Sequence, residues 1–492
     1  MKKLPLPIFA SCLLLVFLYQ LAFSAPNGTY TVNSTADLPD TNPGDGVCYT
    51  GNTIPGGANE CTLRAAVQES NAFPNGDIIN LPAGVFSITG DALEIINTVV
   101  IMNGQPNATI LDGTQSDSGI LFVRDGTNVT VNGVIFENGT GGCYPVVGCG
   151  MGGAITNDGV LALNDSVVRH NKSSSNGGGI VNNNQLIIED STIEHNQAGQ
   201  VGGGIYSNAY DYAAFLEIYG STLNDNLSTG GGALYIADHD ALLDAITVSH
   251  NAAFGTPASN SYGGGLSVKS GGDYTVDIID STFSNNYSEA SGGAIFSSNT
   301  VVLYNSDLFF NHAAQRGGAI FSQLQPITMT NSLVYSNTAV YDGGGWFVNQ
   351  HEVSLEKTAV FGNEAADGGG IYVHNAAADL TLENVTISGN NSDERGGGLF
   401  VDGDVIANYV TLADNNAGQG ESLAFGENGN LSLGSSVVGG AGCWQPAGNF
   451  TSLGHNVLAD TTGCGITAVS GDQFNTNPQL SPLQYYNAPQ RT

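Results

Sequence analysis

The chain has 492 residues, of which 11% are charged, and its 11 basic and 44 acidic residues give a formal net charge of −33 at pH 7. This excess of negative charge disfavours nucleic acid and anionic lipid as partners, because both repel an acidic surface. The same acidity is typical of a long, solvated rod that does not associate sideways.

Residues 1–24 have the pattern of a secretory signal. Lys2 and Lys3 form a basic start, an apolar stretch continues to Phe23, and small residues end at Ser24, after which the cut is predicted. No other segment is apolar for long enough to span a bilayer. The sequence therefore predicts a protein that is secreted or held at the cell surface, with association with an outer membrane as one form of attachment.

Residues 25–76 are predicted to form an N-terminal cap. The stretch from Cys61 to Asn71 is the one convincing helix of the chain, and Leu63, Ala66 and Val67 form its apolar face. A solenoid exposes unpaired strand edges at its ends, so a helix in front of the first coil would cover one of them.

Residues 77–440 are dominated by a repeated motif of two glycines, one small residue and one large apolar residue. The intervals are mostly 25 to 30 residues, a period that indicates a solenoid or an array. The glycines are expected to turn the chain with positive φ and to let neighbouring coils approach closely. The ten copies end at Ile155, Ile180, Ile205, Leu234, Leu266, Ile295, Ile320, Trp346, Ile371 and Leu399.

A second series, an apolar residue followed three positions later by asparagine, runs between the glycine motifs. Stacked coils would place these asparagines above one another, where their side-chain amides can bond along the axis. Asparagine also tolerates the left-handed backbone of a tight corner. The series consists of Asn138, Asn171, Asn196, Asn226, Asn251, Asn286, Asn311, Asn337, Asn363, Asn390 and Asn415.

Short runs of alternating apolar and polar residues fill each repeat and are typical of β-strands. Leu186–Ile188 followed by Asp190–Ile193 is one example. About 25 residues accommodate three such strands and three turns, whereas a propeller blade needs about 40 to 45. The sequence therefore predicts an all-β fold, a three-sheet parallel β-helix of about 14 coils. Its right-handed winding follows from the general preference of parallel crossovers.

Six cysteines remain once Cys12 is removed with the signal, and residues 441–492 are predicted to form an irregular C-terminal cap. Neighbour pairing is the economical arrangement for cysteines that lie in three separate regions of an exported chain. The predicted disulfides are Cys48–Cys61, Cys143–Cys149 and Cys443–Cys464.

Insertions within residues 206–275 interrupt the repeat and indicate a ligand face, because they serve no purpose in the repeat itself. Aromatic rings beside a polar groove suit sugar binding, whereas the simpler alternative is that the tyrosines only cover the longer loops. The tyrosines of this face are Tyr206, Tyr210, Tyr212, Tyr235, Tyr262 and Tyr274, with Tyr219 beside them.

Asp238 and Asp240 are the candidate metal ligands of the same region. Two carboxylates on an outer turn, helped by Asp211 or Asp273, suit Ca²⁺, which takes oxygen ligands. The alternative is an ordinary acidic turn in an acidic chain. No cofactor is otherwise indicated.

A column of imidazoles and one carboxylate precedes four successive ladder asparagines. Adjacent imidazoles can chelate a transition metal, whereas the alternative is a solvated column beside a structural ladder. The residues are His170, His195, Asp225 and His250.

Catalysis on polysaccharides is the rival function. A lyase needs a base and a hydrolase needs converging carboxylates. Carboxylates are plentiful, but strong bases are scarce and form no cluster that stands out from the repeat, so no catalytic residue is predicted. The basic residues of the repeat region are Arg124, Arg169, Lys172, Lys269, Arg316, Lys357 and Arg395.

Several segments resemble known families of exported β-helices. Asp45–Cys48, Cys61–Val67 and Asp77–Gly84 resemble the CSLREA domain, and Leu453–Leu483 is similar to the ending of choice-of-anchor Q proteins. The glycine and asparagine motifs resemble those of chlamydial polymorphic outer-membrane proteins. The resemblance implies a non-catalytic, adhesin-like surface protein that contacts a polysaccharide or a cell-surface glycan. The alternative is a pectate-lyase-like enzyme, either a polysaccharide lyase or a glycoside hydrolase.

Overall fold

The chain winds into a parallel β-solenoid. The computed structural model describes residues 28–72, 76–97, 99–141, 143–144, 148–149, 152–208, 214–255, 262–269, 272–445 and 447–480. The predicted signal, residues 1–24, lies outside these ranges. Four stacks of parallel strands run along the rod, and we number them sheets I to IV in the order in which one coil visits them. The predicted parallel β-helix is thus confirmed, with about 13 coils counted along sheet IV.

Sheet I contains 16 strands, most of which have four to six residues. Its strands are Gly28–Thr31, Asp77–Asn80, Val99–Asn103, Asn128–Asn132, Val160–Asn164, Gln185–Glu189, Phe215–Tyr219, Ala241–Asp244, Thr275–Ile279, Thr300–Tyr304, Ile327–Thr330, His351–Glu356, Ala378–Glu383, Asp404–Asn408, Asn430–Gly434 and Asn449–Gly454.

Sheet II also contains 16 strands. Its strands are Gly84–Gly90, Thr109–Ser116, Val134–Glu137, Val167–Arg169, Thr192–Glu194, Thr222–Asn224, Thr247–Ser249, Thr282–Ser284, Asp307–Phe309, Leu333–Tyr335, Ala359–Phe361, Thr386–Ser388, Thr411–Ala413, Val437–Val438, Val457–Leu458 and Gln473–Phe474.

Sheet III is an additional stack of 11 short strands that the three-sheet prediction did not include. Its strands are Thr140–Gly141, Lys172–Ser173, Gln197–Ala198, Leu227–Ser228, Ala252–Ala253, Tyr287–Ser288, His312–Ala313, Thr338–Ala339, Glu364–Asp367, Asn391–Arg395 and Asn416–Gln419.

Sheet IV contains 13 strands, and those from Ile155 to Leu399 begin at the apolar residue of the glycine motif. Its strands are Leu93–Ile95, Leu121–Val123, Ile155–Asn157, Ile180–Asn182, Ile205–Asn208, Leu234–Ala237, Leu266–Lys269, Ile295–Ser297, Ile320–Ser322, Trp346–Val348, Ile371–Val373, Leu399–Val401 and Leu423–Phe425.

One apolar core runs through the rod from Tyr30 to Cys464. Alternation along each strand sends every second side chain inward, as at Leu186 and Ile188, which are fully buried. Stacking of coils then places these side chains against their equivalents in the next coil, so the interior is continuous.

The asparagine ladder is present over ten coils, from Asn171 to Asn415. In each step the side-chain Nδ2 donates to the Oδ1 of the next asparagine, at 2.9–3.0 Å. Asn138 does not belong to the ladder, contrary to expectation. Its exposed side chain donates to Asp112, and Gly139 occupies the ladder position, with its amide donating to Asn171 Oδ1 at 2.8 Å.

The left-handed corner lies one residue before each ladder asparagine, not at the asparagine itself. The φ values of His170, His195, Asp225 and His250 lie between 54° and 57°. The turn therefore imposes the left-handed backbone conformation of these four residues. The glycine prediction is confirmed, since the first glycine of most motifs has φ of 60–74°, as at Gly177 and Gly263.

The N-terminal cap contains helix α1, Leu63–Ala72. Thr62 caps it by accepting the Ala65 amide on its hydroxyl at 3.1 Å. A disulfide joins Cys48 to Cys61, as predicted.

At the other end, the predicted disulfide between Cys443 and Cys464 is also present. Sheets I and II continue through residues 449–474, beyond the predicted end of the repeats at 440. The Cys143 and Cys149 backbones pair in a two-stranded antiparallel ribbon, but their side chains lie outside the described part of the chain.

Candidate functional site

The predicted tyrosine face, the surface formed by residues 206–275, is only partly assembled. Tyr206 and Tyr235 are neighbours in sheet IV, both point outward, and their rings stack with centroids 5.6 Å apart. Burial raises the pKa of Tyr235 to about 12, so its hydroxyl stays protonated. Tyr210, Tyr212 and Asp211 lie outside the described residues.

The other tyrosines of this face pack elsewhere. Tyr262 stacks on Phe296 with centroids 4.4 Å apart, and Lys269 Nζ lies 5.2 Å from the Tyr262 ring. The Tyr274 ring lies over Gly272, where a Cβ would be only 2.7 Å from the ring. The structure therefore brings two of the predicted tyrosines together and uses two others as packing.

Asp238 and Asp240 lie on an exposed turn after the sheet IV strand that ends at Ala237. Asp238 has φ of 63°, and Asp240 Oδ1 accepts the Thr275 amide at 2.8 Å. Among the described residues, no three His, Cys, Asp or Glu side chains converge as a metal site would require. Calcium binding with Asp211 or Asp273 therefore stays a prediction.

His239, between these two aspartates, is buried and anchors their turn. Its Nδ1 is 2.8 Å from the Asp240 carbonyl oxygen and its Nε2 is 2.8 Å from Ser207 Oγ. A carbonyl oxygen can only accept, so Nδ1 carries the proton and Nε2 accepts from Ser207. Burial lowers the pKa of His239, which keeps the ring neutral.

Two carboxylates on the outer face of sheet I were not singled out by the sequence. Glu217 and Asp277 occupy the same outward position two coils apart, with Leu242 between them. Burial raises the pKa of both, and Glu189 raises that of Glu217 further, while Asp240 does the same for Asp277.

The outward side chains of sheet IV form a continuous stack of aromatic rings. Centroids are 4.6–5.5 Å apart from ring to ring. The phenylalanines of the stack are almost completely buried although they point away from the main core. The rings, in order, belong to Phe296, Phe321, Phe347, Tyr372 and Phe400.

Ion pairs cover this stack. Arg316 Nε is 2.8 Å from Asp342 Oδ2, and its guanidinium lies 5.2 Å from the Phe347 ring. Arg395 pairs with Asp367 and lies between Phe400, at 4.9 Å, and Trp444, at 5.3 Å.

These four charged residues were missed as a cluster, although each directly precedes the first glycine of a motif. That shared position was the available signal. All five arginines of the described ranges are ion-paired, so none of them is an open base. The four residues are Arg316, Asp342, Asp367 and Arg395.

A partly exposed group of four rings on sheet II and its following corner, which we call the aromatic platform, consists of Phe309, Phe310, Tyr335 and Phe361. Phe309, Tyr335 and Phe361 are register partners in three successive coils, and their rings stack at 4.9 Å and 4.9 Å with interplanar angles of 14° and 3°. Phe310 is the exposed member and lies edge-on to Phe309 at 5.5 Å. The stack of rings runs from coil to coil along the rod.

Phe310 combines an exposed side chain with a positive φ, a combination that Tyr409 shares at another corner. Its side chain is 57% exposed, and its φ is 54°. The equivalent corners of other coils carry His, Asp, Asn, Ser or Gly. A bulky residue with positive φ is a conformational outlier, and such strain is concentrated at functional positions.

The imidazole column shows contacts but no metal-binding geometry. The His170 and His195 rings are 5.0 Å apart, and His195 Nε2 is 3.9 Å from Asp225 Oδ2. No three of these side chains form a potential metal site in the ranges that the structure covers. The column is explained by the left-handed corners that it occupies.

Comparison with known proteins identifies the fold. Residues 216–387 match the family described as "Right handed beta helix region", which agrees with the predicted winding and supports a β-helix family. No curated protein matches the sequence. Within the described chain, no helix has the length and apolar character that a membrane crossing requires.

Two solved structures are distantly similar. One is a PL6 family alginate lyase, AlyGC, with 11% identity, a TM-score of 0.35, and coverage of 80% of this chain and 88% of that chain. The other is the A-module of the Azotobacter vinelandii mannuronan C-5 epimerase AlgE6, with 12% identity, a TM-score of 0.30, and coverage of 83% and 94%.

Proposed function

We propose that this chain is an exported, non-catalytic rod that binds glycans at a cell surface, and that the aromatic platform is its contact surface. The observation that carries the proposal is the row of three stacked, nearly parallel rings with the strained, exposed Phe310 at its edge. Exposed aromatic groups of this kind mark interaction surfaces on soluble proteins.

Aromatic side chains suit sugars because they offer apolar surface to the C–H groups of a pyranose ring. The platform is fixed before a ligand arrives, since its backbone belongs to three hydrogen-bonded strands. A preformed surface avoids the entropy loss that mobile loops suffer on binding. Its direction along the rod suits an extended polymer.

The tyrosine face remains a second proposed contact surface. Tyr206 and Tyr235 offer two stacked rings there. The predicted calcium site at Asp238 and Asp240, on the same face, also remains a proposal. Titration calorimetry of an Asp238→Ala, Asp240→Ala double variant checks it: calcium binding in the millimolar range of extracellular modules should disappear, and unchanged binding would refute it.

A glycoside hydrolase is the alternative function, and the Glu217–Asp277 pair is the observation that favours it. Two coil steps separate their strands, which is about 10 Å at sheet spacing. Carboxyl groups of inverting hydrolases are about 6.5–9.5 Å apart, and one of them has a raised pKa. The arginines of the described ranges are ion-paired, so a lyase mechanism that needs an open arginine has less support than hydrolysis.

The experiment is retention of the purified protein on a panel of neutral, amino and uronic polysaccharides, with product analysis of the same samples. We expect retention by at least one polymer, no new reducing ends and no unsaturated products. New reducing ends that vanish in a Glu217→Gln variant would establish the hydrolase instead.

Two matched variants then assign the contact surface. Tyr335→Ala removes the central ring of the platform, and Tyr235→Ala removes one ring of the tyrosine face. We expect retention to fall at least tenfold in the first variant and to change little in the second. The reverse order would move the site to the tyrosine face, and no retention of the wild-type protein by any polymer would contradict glycan binding.

A further inference from the structure

A cavity of about 670 Å³ lies in the N-terminal cap, far along the chain from the aromatic platform. The first strand of sheet I, Gly28–Thr31, forms one wall, and the loop with Gly46 and Val47 forms another. Cys61 and Asp77 also line it. The cavity therefore sits beside the first strand of sheet I.

Asp77 is the central polar group of this cavity. It is 1% exposed, and its Oδ1 has no hydrogen-bond partner of good geometry. A Cβ placed on Gly28 would lie 2.8 Å from Asp77 Oδ1 and 3.0 Å from Tyr30 Oη. The carboxylate and the phenol therefore converge on one point beside the Gly28 backbone.

The charge around this point is negative and is not neutralised within the described ranges. Glu69 is buried and accepts the Gly44 and Gly46 amides, while Asp40 accepts the Asn42 and Tyr49 amides. The guanidinium of Arg64, on the same helix as Glu69, is bound to Asp37.

Backbone amides thus satisfy both oxygens of Glu69 and of Asp40, whereas Asp77 keeps one unsatisfied oxygen, Oδ1. Its Oδ2 lies 3.5 Å from Asn97 Nδ2. Burial raises the pKa of Asp77, and this effect exceeds the opposing influence of the Ser70 hydroxyl and the Gly28 amide.

A buried carboxylate oxygen without a hydrogen-bond partner is unfavourable, and a cation that fits the cavity would relieve this. A metal ion is a poor candidate, because the described residues include no group of three suitable ligands. We infer that the cavity binds an ammonium group, with Asp77 as its counter-ion and Tyr30 as a second polar contact. The inference is independent of glycan binding.

The ammonium group has two conceivable sources. One is an external ligand that carries a primary amine. The other is the α-amino group that cleavage after Ser24 would create at Ala25, three residues before Gly28. Three residues span about 10 Å at most, so this group is within reach of the cavity mouth.

Three variants of the full chain test the site. Asp77→Asn removes the charge at constant size. Gly28→Ala keeps the charge but places a methyl group where the polar atoms converge. Asp91→Asn is the matched control, because Asp91 is an exposed aspartate of the same region that does not line the cavity. Circular dichroism confirms that each variant is folded.

The first arm is calorimetric titration of the exported protein with methylammonium, with methanol as the neutral probe. An external-ligand site predicts saturable binding of methylammonium alone, weakened at least tenfold in Asp77→Asn and Gly28→Ala and unchanged in Asp91→Asn.

The second arm is the pKa of the α-amino group, read from the pH dependence of its reductive methylation. A free α-amino group has a pKa of about 7.7–8.0. Occupation of the cavity by this group predicts a value at least one pH unit higher, because Asp77 lines the cavity and the charges of Glu69 and Asp40 also act on Tyr30 there. The value should return to the ordinary one in Asp77→Asn. An ordinary α-amino pKa together with no methylammonium binding would overturn the inference.

Discussion

Each ladder asparagine of the rod uses the full hydrogen-bonding capacity of its side chain. Asn286 Nδ2 donates to Asn311 Oδ1 and to the Val248 carbonyl, and its Oδ1 accepts the amide and the Nδ2 of Asn251. Such a network is favourable only when every member is satisfied, because the interior has a low dielectric constant. The ladder therefore fixes the register between coils.

We predict that Asn286→Ala lowers the free energy of unfolding by about 3 kcal/mol, since the buried Asn251 amide loses its acceptor and the Asn311 Oδ1 and Val248 carbonyl each lose one donor. The measurement is the denaturant midpoint of the variant. Asn138→Ala is the control, and it should change the stability by less than about 0.5 kcal/mol because Asn138 is exposed and off the ladder. Equal effects of the two variants would contradict the ladder.

The different fates of Asn138 and the other asparagines show a limit of sequence reasoning. Ten of the predicted asparagines could be found from spacing alone. In the coil of Asn138 two apolar residues are consecutive, and it is Phe136 that aligns with the inward Val168 of the next coil, not Ile135. A spacing rule cannot tell which of two neighbouring apolar residues points inward.

At the scale of the element, the motif requires glycine because the neighbouring coil leaves no space for a Cβ, and this matters more than the positive φ. A Cβ on Gly318 would lie 2.1 Å from the Gly344 carbonyl oxygen and 2.6 Å from the Thr338 backbone. Neither group can move without separating two coils. The motif is therefore the point at which sheet III turns into sheet IV with the coils in close contact.

We predict that Gly318→Ala lowers the free energy of unfolding by more than about 4 kcal/mol or prevents folding, because strain of this size exceeds ordinary overpacking. Gly389→Ala is the matched control. Its φ is 63° and nothing lies within 4 Å of the added methyl, so about 1–2 kcal/mol is expected. Thermal unfolding of both variants tests this, and a mild effect at Gly318 would show that the coils are not in close contact there.

Sheet III was not predicted because most of its strands have two residues, as at Gln197–Ala198, which is too short to show a period. The glycine motif and the longer strands of sheets I and IV were predictable, because an apolar residue recurs at a fixed distance from each glycine pair. The sequence thus identified the elements that carry a periodic signal.

At the scale of the whole molecule, the solenoid aligns residues that the sequence keeps about 25 to 40 positions apart. Insertions change the length of the repeat, so outward positions of different coils cannot be matched by counting. For this reason the ion pairs Arg316–Asp342 and Arg395–Asp367 and the aromatic platform became visible only in the structure. The tyrosine face was predictable as a set of insertions, but the partners of its side chains were not.

The rod is about 60 Å long at sheet spacing for 13 coils, and its acidic surface keeps it solvated. Both ends are closed, by α1 and its disulfide at the first coil and by the Cys443–Cys464 segment at the last. A rigid, closed and acidic rod with one exposed row of rings suits contact with an uncharged or cationic polymer better than contact with a polyanion.

The central claim is that the aromatic platform binds glycans, although the strained backbone of Phe310 lowers the stability of the protein. The Phe310→Asn variant tests this claim most directly. Asparagine suits the left-handed corner at φ of 54°, whereas phenylalanine is strained there. Ser336→Asn, at the equivalent corner of the next coil, is the control that leaves the platform intact.

The free energy of unfolding and the retention on polysaccharides are measured on the same samples of both variants. The account predicts that Phe310→Asn is as stable as the wild-type protein or up to about 1–2 kcal/mol more stable, yet loses at least tenfold in retention, while Ser336→Asn retains binding. A Phe310→Asn protein that binds as well as the wild type would contradict the account.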